Sequence, residues 1–236
     1  MEVKIYTANC CGNASNCLYP NRQIITDKKE LINAIKCDQV FAEYKGNYRN
    51  VDNFISSNVI PLDCDNDHSE NPNDWFTDYK LEKIFEDMQF ILFPSRNHMK
   101  SKNGKAPRPK FHILFPVSEY TDVSLYVATK TAIQRKYPFF DNNAVDAARF
   151  FFGCNCKDED VIWHDSFLQI DEDLDETDML EIEDTKAPIY TGGSITEGSR
   201  NNTMSHFAGR VLKKFGDTDK AYKLYMERAD KCEPPL

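Results

Sequence analysis

Apolar and polar positions alternate along Val3–Thr7, which predicts a first strand. The stretch from Ala8 to Arg22, with its Asn, Gly, Cys and Pro, predicts an irregular loop. Asp27 is placed to cap a helix over Lys28–Lys36, with Leu31, Ile32, Ala34 and Ile35 as its apolar side. Gln39–Tyr44 reads as a strand. Val59–Asp65 follows as a central strand, because its apolar run is short, β-branched and ended by turn residues. A polar loop from His68 to Asp78 leads to a helix over Tyr79–Asp87, and Phe90–Phe93 is a strand closed by Pro94. Ser95–Pro109 is too polar and too broken by Gly and Pro for regular structure. Lys110–Val117 alternates cleanly, with Phe111, Ile113 and Phe115 on one face and Lys110, His112 and Leu114 on the other. Thr121 then caps a long helix to Tyr137, Asp141–Ala148 is a turn or short helix, and Arg149–Phe152 and Val161–Trp163 complete a sheet. Strands separated by single helices predict an α+β or α/β domain with helices packed on a mixed sheet. Beyond Asp184 the stretch 188–198 is broken by Pro and Gly into a linker. Helices are expected from Ser199 to Phe215 and from Asp217 or Thr218 to Ala229, a pair too small to close a bundle alone. That points to a fragment of a longer protein, with a natural end here as the alternative.

The end of the central strand carries the candidate chemistry. In Val59-Ile60-Pro61-Leu62-Asp63-Cys64-Asp65, residues i and i+2 share a face, so Asp63 and Asp65 point the same way. Two adjacent carboxylates repel unless something positive lies between them, and hard oxygen donors suit Mg²⁺ or Mn²⁺. The same residue types also favour a solvated strand end or turn. Lys110 and His112 share a face in the mirror arrangement, directly after a basic loop opened by Ser95, Arg96, Asn97 and His98. Further on, Asp141 and Asp146 stand beside an apolar strand that begins at Arg149.

The formal charge of -9 argues against a nucleic-acid enzyme until it is located. Residues 165–184 carry ten acids and no Lys or Arg, so the rest of the chain is close to neutral. Segment 95–112 holds six Lys or Arg and no acid, and segment 200–231 holds eight bases against four acids. These basic parts can follow a phosphate backbone. Nothing in the 236 residues reads as a transmembrane run or a secretory signal, which places the protein in the cytoplasm with reduced cysteines. Cys10, Cys11, Cys17, Cys154 and Cys156 form no paired Cys-x-x-Cys spacing, so zinc is not expected.

Taken in order, Asp63 and Asp65, then His112 in PRPKFHILFP, then Asp141 with Arg149 resemble the archaeo-eukaryotic primase superfamily. These are the primase-polymerases of plasmids, phages and mobile elements. That family carries an acid pair on a strand, a second motif ending in a strand His, and a third acid near an Arg. The resemblance covers about residues 38 to 165. It implies a catalytic domain over 1–187 with an RRM-like mixed sheet, followed over 199–236 by the start of a small helical accessory domain. It also implies template-directed nucleotidyl transfer with NTPs or dNTPs on single-stranded DNA, and a helicase domain or partner further on. Asp63, Asp65 and Asp141 would then hold two Mg²⁺ or Mn²⁺ ions, with Asp146 as the alternative third acid. Arg108, Lys110 and His112 would contact the β- and γ-phosphates, Arg149 would lie near the nucleotide or template phosphate, and Ser95, Arg96 and His98 would share that pocket. Arg200 and Asn201, at a helix start, would hold template or initiating nucleotide. Other reaction classes remain open from the residues alone. A metal-dependent nuclease or replication-initiator nickase is one, although Leu114 stands where a nickase needs a second His. A primase-like module that only binds DNA is another.

Overall fold

The computed structural model describes residues 1–101, 104–174, 178, 195–196, 204–205, 208, 212, 216–230 and 232–233. The chain divides into two units, Met1–Glu183 and Asp184–Leu236. In the first unit the strands in chain order are β1 (Val3–Thr7), β2 (Asn21–Ile25), β3 (Gln39–Val40), β4 (Glu43–Tyr44), β5 (Phe54–Cys64), β6 (Phe90–Pro94), β7 (Phe111–Tyr120), β8 (Phe150–Phe151) and β9 (Ile162–His164). They are accompanied by the helices α1 (Lys28–Ala34), α2 (Asp78–Ile84) and α3 (Val123–Lys136). Each begins on a side-chain cap that satisfies a free helix N–H, from Asp27, Thr77 and Asp122. The α3 cap is thus one residue later than the Thr121 expected from sequence.

The α+β class holds, but the sheet is not mixed. The strands form two antiparallel sheets, ordered β2-β1-β3-β8 and β4-β5-β7-β6-β9. The single strand expected over Gln39–Tyr44 is two, because the chain leaves one sheet at Val40 and enters the other at Glu43. The segment expected over Arg149–Phe152 likewise joins the four-stranded sheet as β8, while β9 closes the edge of the five-stranded one.

Alternation decides what lies on each side of the five-stranded sheet. Ile60, Leu62, Ile113, Phe115, Phe90 and Leu92 pack toward the aromatic layer of Phe85, Tyr126 and Phe140 beside α2 and α3. Val59, Leu114, Ile91 and Phe93 face the other way and meet Val3, Ile5 and Phe151 of the second sheet, with Phe41 just beyond β3. Fully burying one such side chain contributes about 1.5–3 kcal/mol. Asp63 has the parity of Val59 and His112 that of Leu114, so both are carried into the space between the sheets.

Pro61 sits inside β5, where a missing N–H would normally break a ladder. β4 pairs with β5 only as far as Ser56, and among the described residues no strand covers the outer edge of β5 beyond that point. Two carbonyls on that edge are met by other groups: Val59 O accepts the Tyr126 hydroxyl at 2.8 Å and Asp63 O accepts the Asp141 N–H at 2.9 Å. Pro61 has the same parity, so its nitrogen faces an edge that needs no donor there.

Buried Asp38 ties the first loop to the segment after β8. Its carboxylate accepts N–H groups from Gly12 (2.7 Å), Asn13 (2.9 Å) and Gly153 (2.8 Å). A Cβ on Gly153 would stand 2.4 Å from the Lys36 carbonyl oxygen and 2.8 Å from Cys11 Sγ. Gly153→Ala should therefore destabilise the first unit by about 1–3 kcal/mol in urea unfolding, as overpacking does elsewhere. An unchanged midpoint would show that this contact gives way freely.

In the second unit, β10 (Ile195–Thr196) pairs in parallel with β11 (Cys232–Glu233), and α4 (Asp219–Ala229) packs Ala229 with Met204 and Cys232. Of the helix expected over Ser199–Phe215, residues 204–205, 208 and 212 are described and are helical; the rest of it, with Arg200 and Asn201, and most of the 188–198 linker lie outside the described residues.

Candidate active site

The β5–β7 register places Asp63 opposite His112. The Asp63 backbone points to the outer edge, so this is a non-hydrogen-bonded pair, the kind in which facing side chains come closest. His112 Nδ1 lies 2.5 Å from Asp63 Oδ1. The imidazole is also stacked on Phe151, with centroids 3.9 Å apart and planes inclined at 14°, and it meets the edge of Phe93. The other carboxylate oxygen of Asp63 takes both Nε (2.9 Å) and Nη2 of Arg149. Arg149 Nη2 also lies 3.8 Å from Asp141 Oδ2. Two residues on, Asp65 Oδ2 meets Lys110 Nζ at 3.0 Å, and Lys110 reaches Asp67 at 3.6 Å. Asp67 in turn pairs with Lys105 and Arg108. The acids at the end of β5 and the bases at the start of β7 thus meet across the strand pair, Asp63 with His112 and Asp65 with Lys110.

Burial alone would push the Asp63 carboxyl up. The imidazole of His112 and the guanidinium of Arg149 outweigh that and hold it below the usual carboxylate range. Because the folded value lies below the unfolded one of about 3.9, the folded state binds fewer protons at this group. Its stabilising contribution is complete above the unfolded value and is lost as pH falls through the folded one. Unfolding free energies measured across an acid series should show a limb below about pH 4 that Asp63→Asn flattens. Identical limbs in the two proteins would contradict this assignment.

The structure also shows where the remaining candidates lie. Arg108 is 1 % exposed: Nη1 donates to Asn66 O at 3.0 Å, Nη2 to Glu70 Oε2 at 2.7 Å, and the guanidinium lies 5.4 Å from the Trp75 ring centre. Its terminal donors are taken up by the 66–75 loop, and Nε faces Ala106 O at 3.5 Å. Ser95 N–H donates to Lys110 O at 2.9 Å, and His98 Nδ1 accepts the Lys110 N–H at 3.2 Å, so both fold the basic loop back along β7. Arg96 stacks over Phe152 at 3.9 Å. Ser95, Arg96 and His98, with Lys36, Lys100 and Asn155, line a cleft of about 830 Å³. Lys100 also borders a smaller hollow of about 100 Å³ shared by Asp65, Asp67, Lys105, Arg108 and Lys110. Asp146 is exposed and accepts the Ala148 N–H of its own loop at 2.7 Å, whereas Asp141 is fastened to the Asp63 backbone. Leu114, the position a nickase would fill with a second His, is fully buried between the sheets. Cys154 and Cys156 place their sulfurs 3.6 Å apart.

Among the described residues no three His, Cys, Asp or Glu side chains stand close enough to cage a metal ion. Mg²⁺ seldom depends on such a cage, since it keeps several waters and takes one or two carboxylates together with substrate phosphates. The partly exposed carboxylates of Asp65 (36 %) and Asp141 (26 %) fit an ion bound in that manner. Asp63 has one oxygen on His112 Nδ1 and the other on both Nε and Nη2 of Arg149, so it would join such an ion only by giving up part of these contacts. Among the described residues, no helix is long and apolar enough to cross a membrane.

Fold and site together define an α+β unit of two antiparallel sheets, with an acid–base cluster at one end of its central strand pair. No protein-family model matches the chain, and no curated protein matches it in sequence. Among solved structures it is similar to the AEP domain of the cyanophage S-2L primase-polymerase (PrimPol). The identity is 11 %, the TM-score is 0.39, and the match covers 76 % of this chain and 88 % of that one. A likeness so loose leaves the reading of the site to its own residues.

Proposed function

We propose that this protein is a DNA primase-polymerase, a nucleotidyltransferase that joins NTPs or dNTPs against a single-stranded DNA template. Its reactions would include the first bond made without a primer, in the replication of a mobile element or phage. One observation carries this reading: Asp63 meets His112 and Asp65 meets Lys110 across β5 and β7, with Asp141 fastened onto the same strand end. Asp65 and Asp141 would hold Mg²⁺ or Mn²⁺, joined by Asp63. Such an ion, when bound, lowers the pKa of the attacking 3′-hydroxyl and stabilises charge on the α-phosphate and the departing pyrophosphate. Lys110 supplies a cation for the triphosphate tail, and Lys100 extends that positive surface toward the Arg96 cleft. His112 is held in one orientation by Asp63 and Phe151, which leaves Nε2 for a phosphate oxygen. Arg149 balances the charge of Asp63 and Asp141 from the protein side. A helicase, as a further domain or a partner, belongs to the same reading.

The test supplies single-stranded template, labelled nucleotides and Mg²⁺ or Mn²⁺, with and without a primer, and resolves the products by size on a gel. A ladder of extended products in both arms is expected. Folded protein that makes no product with either ion would reject the proposal. Cleavage of labelled single-stranded DNA in a control without nucleotides would favour a nuclease instead.

A further inference from the structure

The loop that delivers Arg149 is held more firmly than a turn requires. Three successive carbonyls each accept a hydrogen bond from a side chain on a different part of the fold. Lys130 Nζ, on α3, donates to Asp146 O at 2.8 Å; Tyr44 Oη, on β4, donates to Ala147 O at 2.6 Å; Arg49 Nη1 donates to Ala148 O at 3.0 Å. Asp146 already closes the turn locally through the Ala148 N–H, so these three donors are additional. Lys130 and Tyr44 are 0 % and 4 % exposed. A buried amine is an unfavourable choice for packing alone, and burial pulls the Lys130 amine down to about 7 against the partial support of Asp146. The residue that follows the third carbonyl is Arg149. Its Nε and Nη2 converge on one oxygen of Asp63, a contact sensitive to small rotations of the guanidinium plane.

We infer that Lys130, Tyr44 and Arg49 form a carbonyl clamp that sets the position of Arg149 between Asp63 and Asp141. They are positioning residues, distinct from groups that touch substrate. This inference rests on the function proposed above for its catalytic consequence, and on geometry alone for the clamp. Without one of the donors the Asp146–Ala148 backbone gains freedom, and the Arg149 fork loosens on Asp63. Asp63 is then less well oriented, while the nucleotide contacts remain.

The test uses Lys130→Met and Tyr44→Phe in the full chain. One readout is nitrogen-15 NMR of the Arg149 Nε–H, assigned by its loss in Arg149→Lys. In either variant that proton should exchange with water at least about tenfold faster. A second readout is steady-state transfer: kcat should fall about tenfold with KM for nucleotide within about twofold. Adding Lys130→Met to Arg149→Lys should lower kcat little further, because both act through one contact. Unchanged Arg149 exchange in a folded variant overturns the clamp whatever the activity. Faster exchange, in a protein whose wild type shows no transfer, supports the clamp and rejects the primase-polymerase reading. If Lys130→Met does not fold, Tyr44→Phe decides, since it removes one hydroxyl and keeps the ring.

Discussion

Replacing Asp63 and Asp65 together by Ala should lower primer synthesis and extension by at least about a thousandfold. The two positions contribute differently. Asp65 is partly exposed with one oxygen on Lys110, so Asp65→Asn should leave the fold unchanged and still remove most of the activity. Asp63 is buried and holds both His112 Nδ1 and the Arg149 guanidinium, so Asp63→Ala leaves Arg149 without its counter-ion and the imidazole without its partner. Breaking a buried pair in this way costs about 3–5 kcal/mol. Gel assays of transfer alongside thermal unfolding separate the two effects. Full activity in the double variant would end the assignment of these acids to catalysis.

Arg108→Met should act on stability and leave nucleotide affinity unchanged. The sequence places Arg108 two residues before Lys110 in a basic run, which suggested a phosphate contact. Folded, its guanidinium is enclosed by the Asn66 and Ser69 carbonyls, Glu70 and the Trp75 ring. Met retains the aliphatic stem but leaves the Asn66 carbonyl without this donor, and the 66–75 loop without its central tie. The expected loss is about 2–4 kcal/mol, within the range for breaking a buried polar network. Urea unfolding and the KM for nucleotide measure the two sides. Normal stability with a KM raised tenfold or more would return Arg108 to the phosphate site.

The strands were legible where one period dominated. Alternation in Lys110–Val117 identifies both faces of β7 and puts Lys110 and His112 together on one of them, while their pairing with Asp63 and Asp65 comes from the β5–β7 register. The antiparallel order was not legible, because β8 is two residues long and a chain of this pattern does not state which sheet an edge strand joins. The switch of sheets at Phe41–Ala42 was hidden for a similar reason, since both halves read as one apolar run. In the site, the acids and His112 could be found because they break an apolar pattern at a strand end. Arg149 could be found as a residue, yet its partner could not, since 86 positions separate it from Asp63. Lys130 did leave a signal: it stands four residues after Tyr126 and three before Ile133, on the buried stripe of α3, where a charged residue is out of place. Asp67 continues the Asp63 and Asp65 spacing and reads in hindsight as the third member of the row that Lys110 bridges.

Manganese binding measured by calorimetry, alone and with a non-hydrolysable deoxynucleoside triphosphate, addresses the acid cluster most directly. Weak binding of the ion alone, strengthened at least about tenfold by the nucleotide and lost in Asp65→Asn and Asp141→Asn, is the result that follows from partly exposed carboxylates sharing a cation with phosphates. Nucleotide affinity indifferent to the ion, or undiminished in both variants, would contradict it.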